Sequence, residues 1–458
     1  MKRVLLILGS TLMIVVCLAV LGFTGFFLWS AIPRERPEPQ VLRTDSFLQE
    51  EAEAAPPSEL IAPSEETMET AEEPPTEEPE EPVREEPPAE EPAEEPAEEP
   101  PAEEPAEEGP DFAQLAADYL QTMTLEEKIW QLFITTPEDL TGQSPVTIAS
   151  AWTEEALADK PVGGLVYFAD NLLDSAQTYE MLWQTQVYAK TPLFLAVDEE
   201  GGAVSRAGAN DAMGVTHFEA AAVYGETGDA GQVYNVGKTL AQELGGLGFN
   251  LDFAPVADIV TNANNTEIGS RAYSSDPAVA APLVAAMVEG LQRNGMAACL
   301  KHFPGHGSTE ADSHLGLSVS KRTVEEMKAE EWRTFAAGIE AGVQFVMVGH
   351  LSNFSISDHP SSLSPEIMTY LREDLGFEGI IITDSLKMGA ILNSYTSAQA
   401  AVMAVAAGAD MLLMPNDLLT AFTGILAAVQ DGTITEERIE ESVQRILTAK
   451  YELGIMTA

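Results

Sequence analysis

Eight short apolar runs recur through the last 348 residues of the chain, at 129–134, 164–168, 193–197, 250–253, 297–300, 345–348, 379–382 and 411–414. They are continuous rather than alternating, which is the pattern of parallel strands buried on both faces. Helical patterns fill the gaps. Thr323-Val-Glu-Glu326 is a capping-box signature ahead of Met327, Trp332, Phe335 and Ile339. Thr396-x-x-Gln399 repeats it before an alanine-rich run that ends at Ala407. Eight strands alternating with helices predict an α/β fold, a (β/α)8 barrel, with an open doubly wound sheet as the alternative. Residues 111–458 contain no low-complexity break, so they read as one barrel domain with insertions.

The preceding segment cannot build a core. Residues 33–110 hold 28 Asp and Glu against 4 Lys and Arg, and most of the remainder is Pro and Ala. Such a composition buries too little surface to offset the entropy of ordering. The stretch 89–108 repeats Ala-Glu-Glu-Pro. Proline blocks helix propagation and like charges repel, so 33–110 reads as an extended acidic spacer with an upper reach on the order of 200 Å. An acidic interaction tail is the second reading of the same composition.

Residues 4–32 carry no charged side chain and follow Lys2 and Arg3. About 20 apolar residues suffice to span a bilayer, and flanking basic residues favour a cytoplasmic N-terminus. Residues 1–32 therefore read as a single-pass signal anchor, with the barrel outside the membrane. A cleaved signal peptide would leave it secreted, but Trp29 occupies the −3 position before Ala31 and fits no small-residue cleavage site. The net charge of −51 repels phosphate backbones and excludes nucleic-acid binding. Two cysteines, Cys17 in the apolar run and Cys299 far beyond it, cannot make a disulfide framework.

Polar residues follow the apolar runs. Asp198 follows the third, Asp258 the fourth, Lys301 and His302 the fifth, His350 the sixth and Asp384 the seventh. In a (β/α)8 barrel the C-terminal strand ends build the site. The densest stretch is Lys301-His-Phe-Pro-Gly-His-Gly-Ser-Thr-Glu-Ala-Asp-Ser-His314, with three of the chain's six histidines in 13 residues. Pro304, Gly305 and Gly307 mark it as a shaped loop. Its chemistry reads either as metal ligation or as sugar or anion binding by Lys301 and His302 with acid–base work by His314. His306 reads as loop structure, His350 as a hydrogen-bonding residue lining the site, and His217 and His359 as surface or structural residues.

This loop resembles the signature of glycoside hydrolase family 3, most closely its bacterial β-N-acetylglucosaminidase branch. Val197-Asp-Glu-Glu-Gly-Gly-Ala-Val-Ser-Arg206, Asn250-Leu-Asp-Phe-Ala-Pro-Val-Ala-Asp258, Ile268-Gly-Ser-Arg-Ala-Tyr-Ser-Ser-Asp-Pro277 and Ile382-Thr-Asp-Ser-Leu-Lys-Met-Gly-Ala390 resemble further family motifs, in order along 111–458. Glu199 and Ala203 stand where Gln and Arg are common, which bears on sugar specificity.

The resemblance implies an exo-acting, retaining β-N-acetylglucosaminidase acting on cell-wall glycan fragments or chitooligosaccharides. A retaining mechanism needs a carboxylate nucleophile and a proton donor. The resemblance assigns Asp384 the first role and His314, oriented by Asp312, the second. It implies sugar contacts from Asp198, Arg206, Arg271, Lys301 and His302, and neither metal nor cofactor. A metallohydrolase would want two spaced histidines at the end of the first strand, and 129–136 has none. Glucoside or xyloside hydrolysis, phosphorolysis by the same site, and an anchored glycan-binding module without activity are the alternatives. The oligomeric state is not legible.

Overall fold

The computed structural model describes residues 110–309, 316 and 318–457. The anchor assigned to 1–32, the spacer assigned to 33–110 apart from its last residue, and Asp312 and His314 lie outside the described residues. Among those that are described, no helix is long and apolar enough to cross a membrane.

Eight parallel strands form the barrel: β1 Phe133–Thr135, β2 Gly164–Val166, β3 Phe194–Val197, β4 Leu251–Asp252, β5 Ala297–Phe303, β6 Phe345–Val348, β7 Ile380–Thr383 and β8 Leu412–Leu413. Each pairs with its sequence neighbour, and β1 pairs with β8. A bridge between Ile382 and Met411 joins β7 to β8 and closes the ring. The expected eight-stranded α/β barrel is therefore the fold.

Two strand boundaries differ from the expectation by more than two residues. The run at 129–134 is not one strand. Leu125–Gln131 is a helix, started by a Thr124–Glu127 capping box, and β1 begins two residues later. Helix end and strand start are both buried, so their apolar residues merge into one run that periodicity cannot divide. The fifth run is longer than expected. Lys301 and His302 lie inside β5 rather than after it. Both capping boxes predicted at Thr323 and Thr396 are present. The first opens two short helices, Val324–Ala329 and Glu331–Glu340, rather than one.

Strand alternation sorts the side chains into two cores. Leu195, Val197, Leu300, Val346 and Ile381 face the surrounding helices. Phe194, Ala196, Ala297, Cys299, Phe345, Met347, Ile380 and Ile382 fill the barrel axis, where Phe194 meets Phe345 edge to face at 5.1 Å. The last helix, α1 Glu436–Glu452, adds Ile446 and Ala449 to this inner core. The barrel is thus a filled solid below its C-terminal strand ends.

Candidate active site

The inward alternation continues one step past the inner core. Positions 194 and 196 lead to Asp198, 297 and 299 to Lys301, and 380 and 382 to Asp384. These three polar side chains form the floor of a cavity of about 390 Å3 on top of the packed core. Glu200, Arg206, Glu267, Arg271, His302, Ser385 and Lys387 also line it.

The floor is a charge-paired cluster. The buried Lys301 Nζ lies 2.9 Å from Asp198 Oδ1 and 2.6 Å from Glu200 Oε1. Arg271 forks onto Glu200, with Nε and Nη2 each donating at 2.8 Å. Arg206 Nη2 approaches Asp198 Oδ2 at 3.9 Å. Burial works to raise the Glu200 carboxyl, but Lys301 and Arg271 outweigh it and hold it down at about 2. Burial likewise opposes the charge on Lys301, and the pull of Asp198 and Glu200 more than restores it, leaving the ammonium above the ordinary lysine range. A cluster of this kind presents fixed charges and hydrogen-bonding atoms to a polyhydroxylated ligand.

Asp384 stands at the end of β7 with its carboxylate partly open to the cavity. Its Oδ1 accepts the Ser385 backbone N–H at 2.6 Å. Burial raises its pKa, yet the charges of His302 and His350 and that N–H prevail and keep it below the usual carboxylate range. His350 fixes the chain beyond it, hydrogen-bonding Ser362 Oγ at 2.7 Å and the Ser385 carbonyl at 2.8 Å. His350 thus makes the expected hydrogen bonds, but it is fully buried and does not line the cavity as expected.

His302 is oriented by Asp258. The Asp258 carboxylate accepts the His302 ring Nδ1–H at 2.8 Å, the His302 backbone N–H at 3.0 Å and the His306 backbone N–H at 2.6 Å. Burial would raise this carboxyl, but the His302 hydrogen bond leads the groups that hold it low. The Lys301–His302 peptide bond is cis. His306 is buried and braces the loop, with Nε2 3.3 Å from Glu267 Oε2 and Nδ1 3.1 Å from Thr309 Oγ1.

Of the predicted site residues, the structure brings together Asp198, Arg206, Arg271, Lys301, His302 and Asp384 around one cavity. Asp312 and His314 belong to the segment outside the described residues. Glu200 and Glu267 were not anticipated. Glu200 had a signal, since it lies two residues beyond Asp198 and strand-like alternation sends both to one side; Glu199–Gly201 does continue as a short strand. Glu267 had none. Glu199, whose departure from the family motif was read as bearing on sugar specificity, is instead fully buried away from the cavity. Its carboxylate accepts the Ser205 hydroxyl and the backbone N–H groups of Arg206, Ala207 and Gly208, so it shapes the turn that carries Arg206.

Residues 124–449 match the model of the glycosyl hydrolase family 3 N terminal domain. The chain is 35% identical over 306 residues to a β-N-acetylglucosaminidase/β-glucosidase of Cellulomonas fimi, covering 64% of this chain and 53% of that one. It is 34% identical over 286 residues to a β-hexosaminidase of Xylella fastidiosa, covering 61% of this chain and 85% of that one. Among solved structures it resembles a glycoside hydrolase family 3 β-N-acetylglucosaminidase from Paenibacillus, with a TM-score of 0.69 and 34% identity over 73% of this chain and 64% of the other. The chain thus spans about half the length of the Cellulomonas relative and most of the Xylella one.

Proposed function

This chain belongs to glycosyl hydrolase family 3, and we propose that it is an exo-acting, retaining β-N-acetylglucosaminidase. The observation that carries this reading is the placement of Asp384 on the floor of the cavity, beside the Lys301–Asp198–Glu200–Arg271 cluster. A packed core beneath that floor leaves room for a terminal sugar and no through-channel. The names of the Cellulomonas, Xylella and Paenibacillus relatives support N-acetylglucosamine as that sugar.

In this reading the sugar hydroxyls donate to Asp198 and to the second ring nitrogen of His302, and accept from Lys301 and Arg206. Asp384 must be ionised to attack the anomeric carbon, and its lowered pKa meets that need. His314, tuned by Asp312, protonates the departing oxygen and then takes a proton from the water that releases the sugar. The N-terminal apolar run anchors the chain, and the enzyme works outside the membrane on cell-wall fragments or chitooligosaccharides. A panel of aryl β-glycosides incubated with the full chain tests the activity. Fastest turnover of the N-acetylglucosaminide supports the proposal. Preference for glucoside or xyloside would move the specificity, strict dependence on phosphate would make it a phosphorylase, and no turnover at all would favour a binding module.

A further inference from the structure

The helix Ser175–Tyr188, which joins β2 to β3, has large apolar side chains on its outer face as well as its inner one. Thr178, Met181, Leu182 and Thr185 are buried. The opposite face of such a helix is ordinarily charged or polar. Here Tyr179, Trp183 and Val187, four residues apart, form one stripe along it, and each is at least half exposed. Trp152, 59% exposed, stands in the first turn of the neighbouring helix Ala151–Asp159. Gln177 Nε2 donates to the Thr147 carbonyl at 2.5 Å and ties the approach to that helix to the start of the other. The remaining described tryptophans, Trp130 and Trp332, are buried. A helix that follows a barrel strand runs back from that strand's C-terminal end, so the stripe starts on the cavity side of the barrel. Leu173, also exposed, comes five residues after Phe168, which is a wall of the cavity. Tyr179, Trp183 and Trp152 themselves are not walls of it.

A contiguous exposed apolar patch marks a binding surface, and its chemistry selects the ligand. Among the fourteen residues of the helix Ser175–Tyr188, Glu180 alone is charged. A helix that lies on a lipid surface carries Lys or Arg on its polar face, and this one has neither. Two copies of a chain with a net charge of −51 repel each other. A neutral glycan meets no such repulsion. The rings of a β-linked glycan present axial C–H groups on flat faces, and the electron-rich faces of indole and phenol attract them. Positions four apart on a helix are separated by about 6 Å along its axis, close to the length of one sugar unit in such a chain. We infer that Tyr179, Trp183 and Trp152 form a glycan-binding surface outside the cavity, which holds polymeric β-linked N-acetylglucosamine beside the site. The identity of the sugar rests on the proposed function; the stacking chemistry does not.

The test is a binding isotherm of the full chain on insoluble chitin, with excess free N-acetylglucosamine present to occupy the cavity. Trp183→Ala and Tyr179→Ala should each weaken retention about tenfold, and Trp152→Ala should weaken it further when combined with either. Trp183→Phe should keep most of the binding. All four substitutions should leave kcat/KM on 4-nitrophenyl β-N-acetylglucosaminide at the wild-type value, because none of these residues touches the cavity. Retention unmoved by Trp183→Ala and Tyr179→Ala overturns the inference. A dimer in sedimentation velocity that the same substitutions dissociate, with chitin binding unchanged, assigns the face to a second copy and also overturns it. A wild type retained through these aromatics that hydrolyses no aryl glycoside overturns the functional reading and leaves the glycan surface standing.

Discussion

Glu200 is held at about 2 in the fold, against an ordinary value of 4.5. Because the folded value lies below the unfolded one, its stabilisation is complete above about pH 4.5 and is lost as the pH falls toward 2. The shift corresponds to about 3 kcal/mol. Glu200→Gln should therefore flatten the acid limb of unfolding free energy against pH and weaken sugar binding, because Lys301 and Arg271 lose the acid that sets them. Identical acid limbs in urea titrations of the two proteins would remove Glu200 from this account. His314→Ala should discriminate between leaving groups. A nitrophenolate needs little protonation and a sugar hydroxyl needs much, and acid–base help is worth roughly 10²–10⁴-fold. The variant should lose far more kcat/KM on a disaccharide than on a nitrophenyl glycoside, and equal losses would take the proton-donor role from His314. Asp198, Lys301 and Asp384 were legible because each directly follows or ends an apolar run, where a polar residue must surface from a buried strand. Glu267 was not, because its place depends on a loop that folds back over the strand ends to His306.

At the scale of the element, the sequence reading located all eight strands, because strands buried on both faces read mostly as apolar runs, although β4 carries the buried Asp252. It misplaced the start of β1, since a buried helix end and a buried strand start look alike as composition. It also stopped β5 early, because Lys301 and His302 are polar residues inside a strand, paired with Asp198 and Asp258 from β3 and β4 loops. The closing helix α1 was not resolved into its task. It plugs the lower end of the barrel and carries Lys450 into the interior, with Nζ donating to Gln131 Oε1 at 2.8 Å and lying 5.1 Å from the Phe194 ring centroid. Burial without a counter-charge pushes this lysine down to about 7 from 10.5. The unfolded chain binds the proton more tightly between those values, so stability should rise as the pH climbs from about 7 toward 10.5 and gain nothing from this group below 7. Lys450→Met should abolish most of that slope. Equal slopes for variant and wild type in thermal melts across pH 7–10 would show that Lys450 does not carry it.

For the molecule as a whole, the proposed arrangement is a membrane anchor and an acidic spacer ahead of a barrel that carries the chemistry. The spacer adds 28 of the 74 acidic residues. Protease treatment of intact cells should release a soluble fragment that retains N-acetylglucosaminidase activity; activity confined to the cytosol would contradict the anchored, outward-facing arrangement. The central claim is that Asp384 forms a covalent bond to the anomeric carbon of N-acetylglucosamine. The direct measurement is intact-protein and peptide mass spectrometry after incubation with a 5-fluoro N-acetylglucosaminyl fluoride, whose fluorine slows release of the glycosyl group. The account predicts one added glycosyl mass, located on the peptide that contains Asp384 and absent from Asp384→Ala. A label on a different residue, or an active enzyme that takes no label and releases the α anomer first, would contradict it.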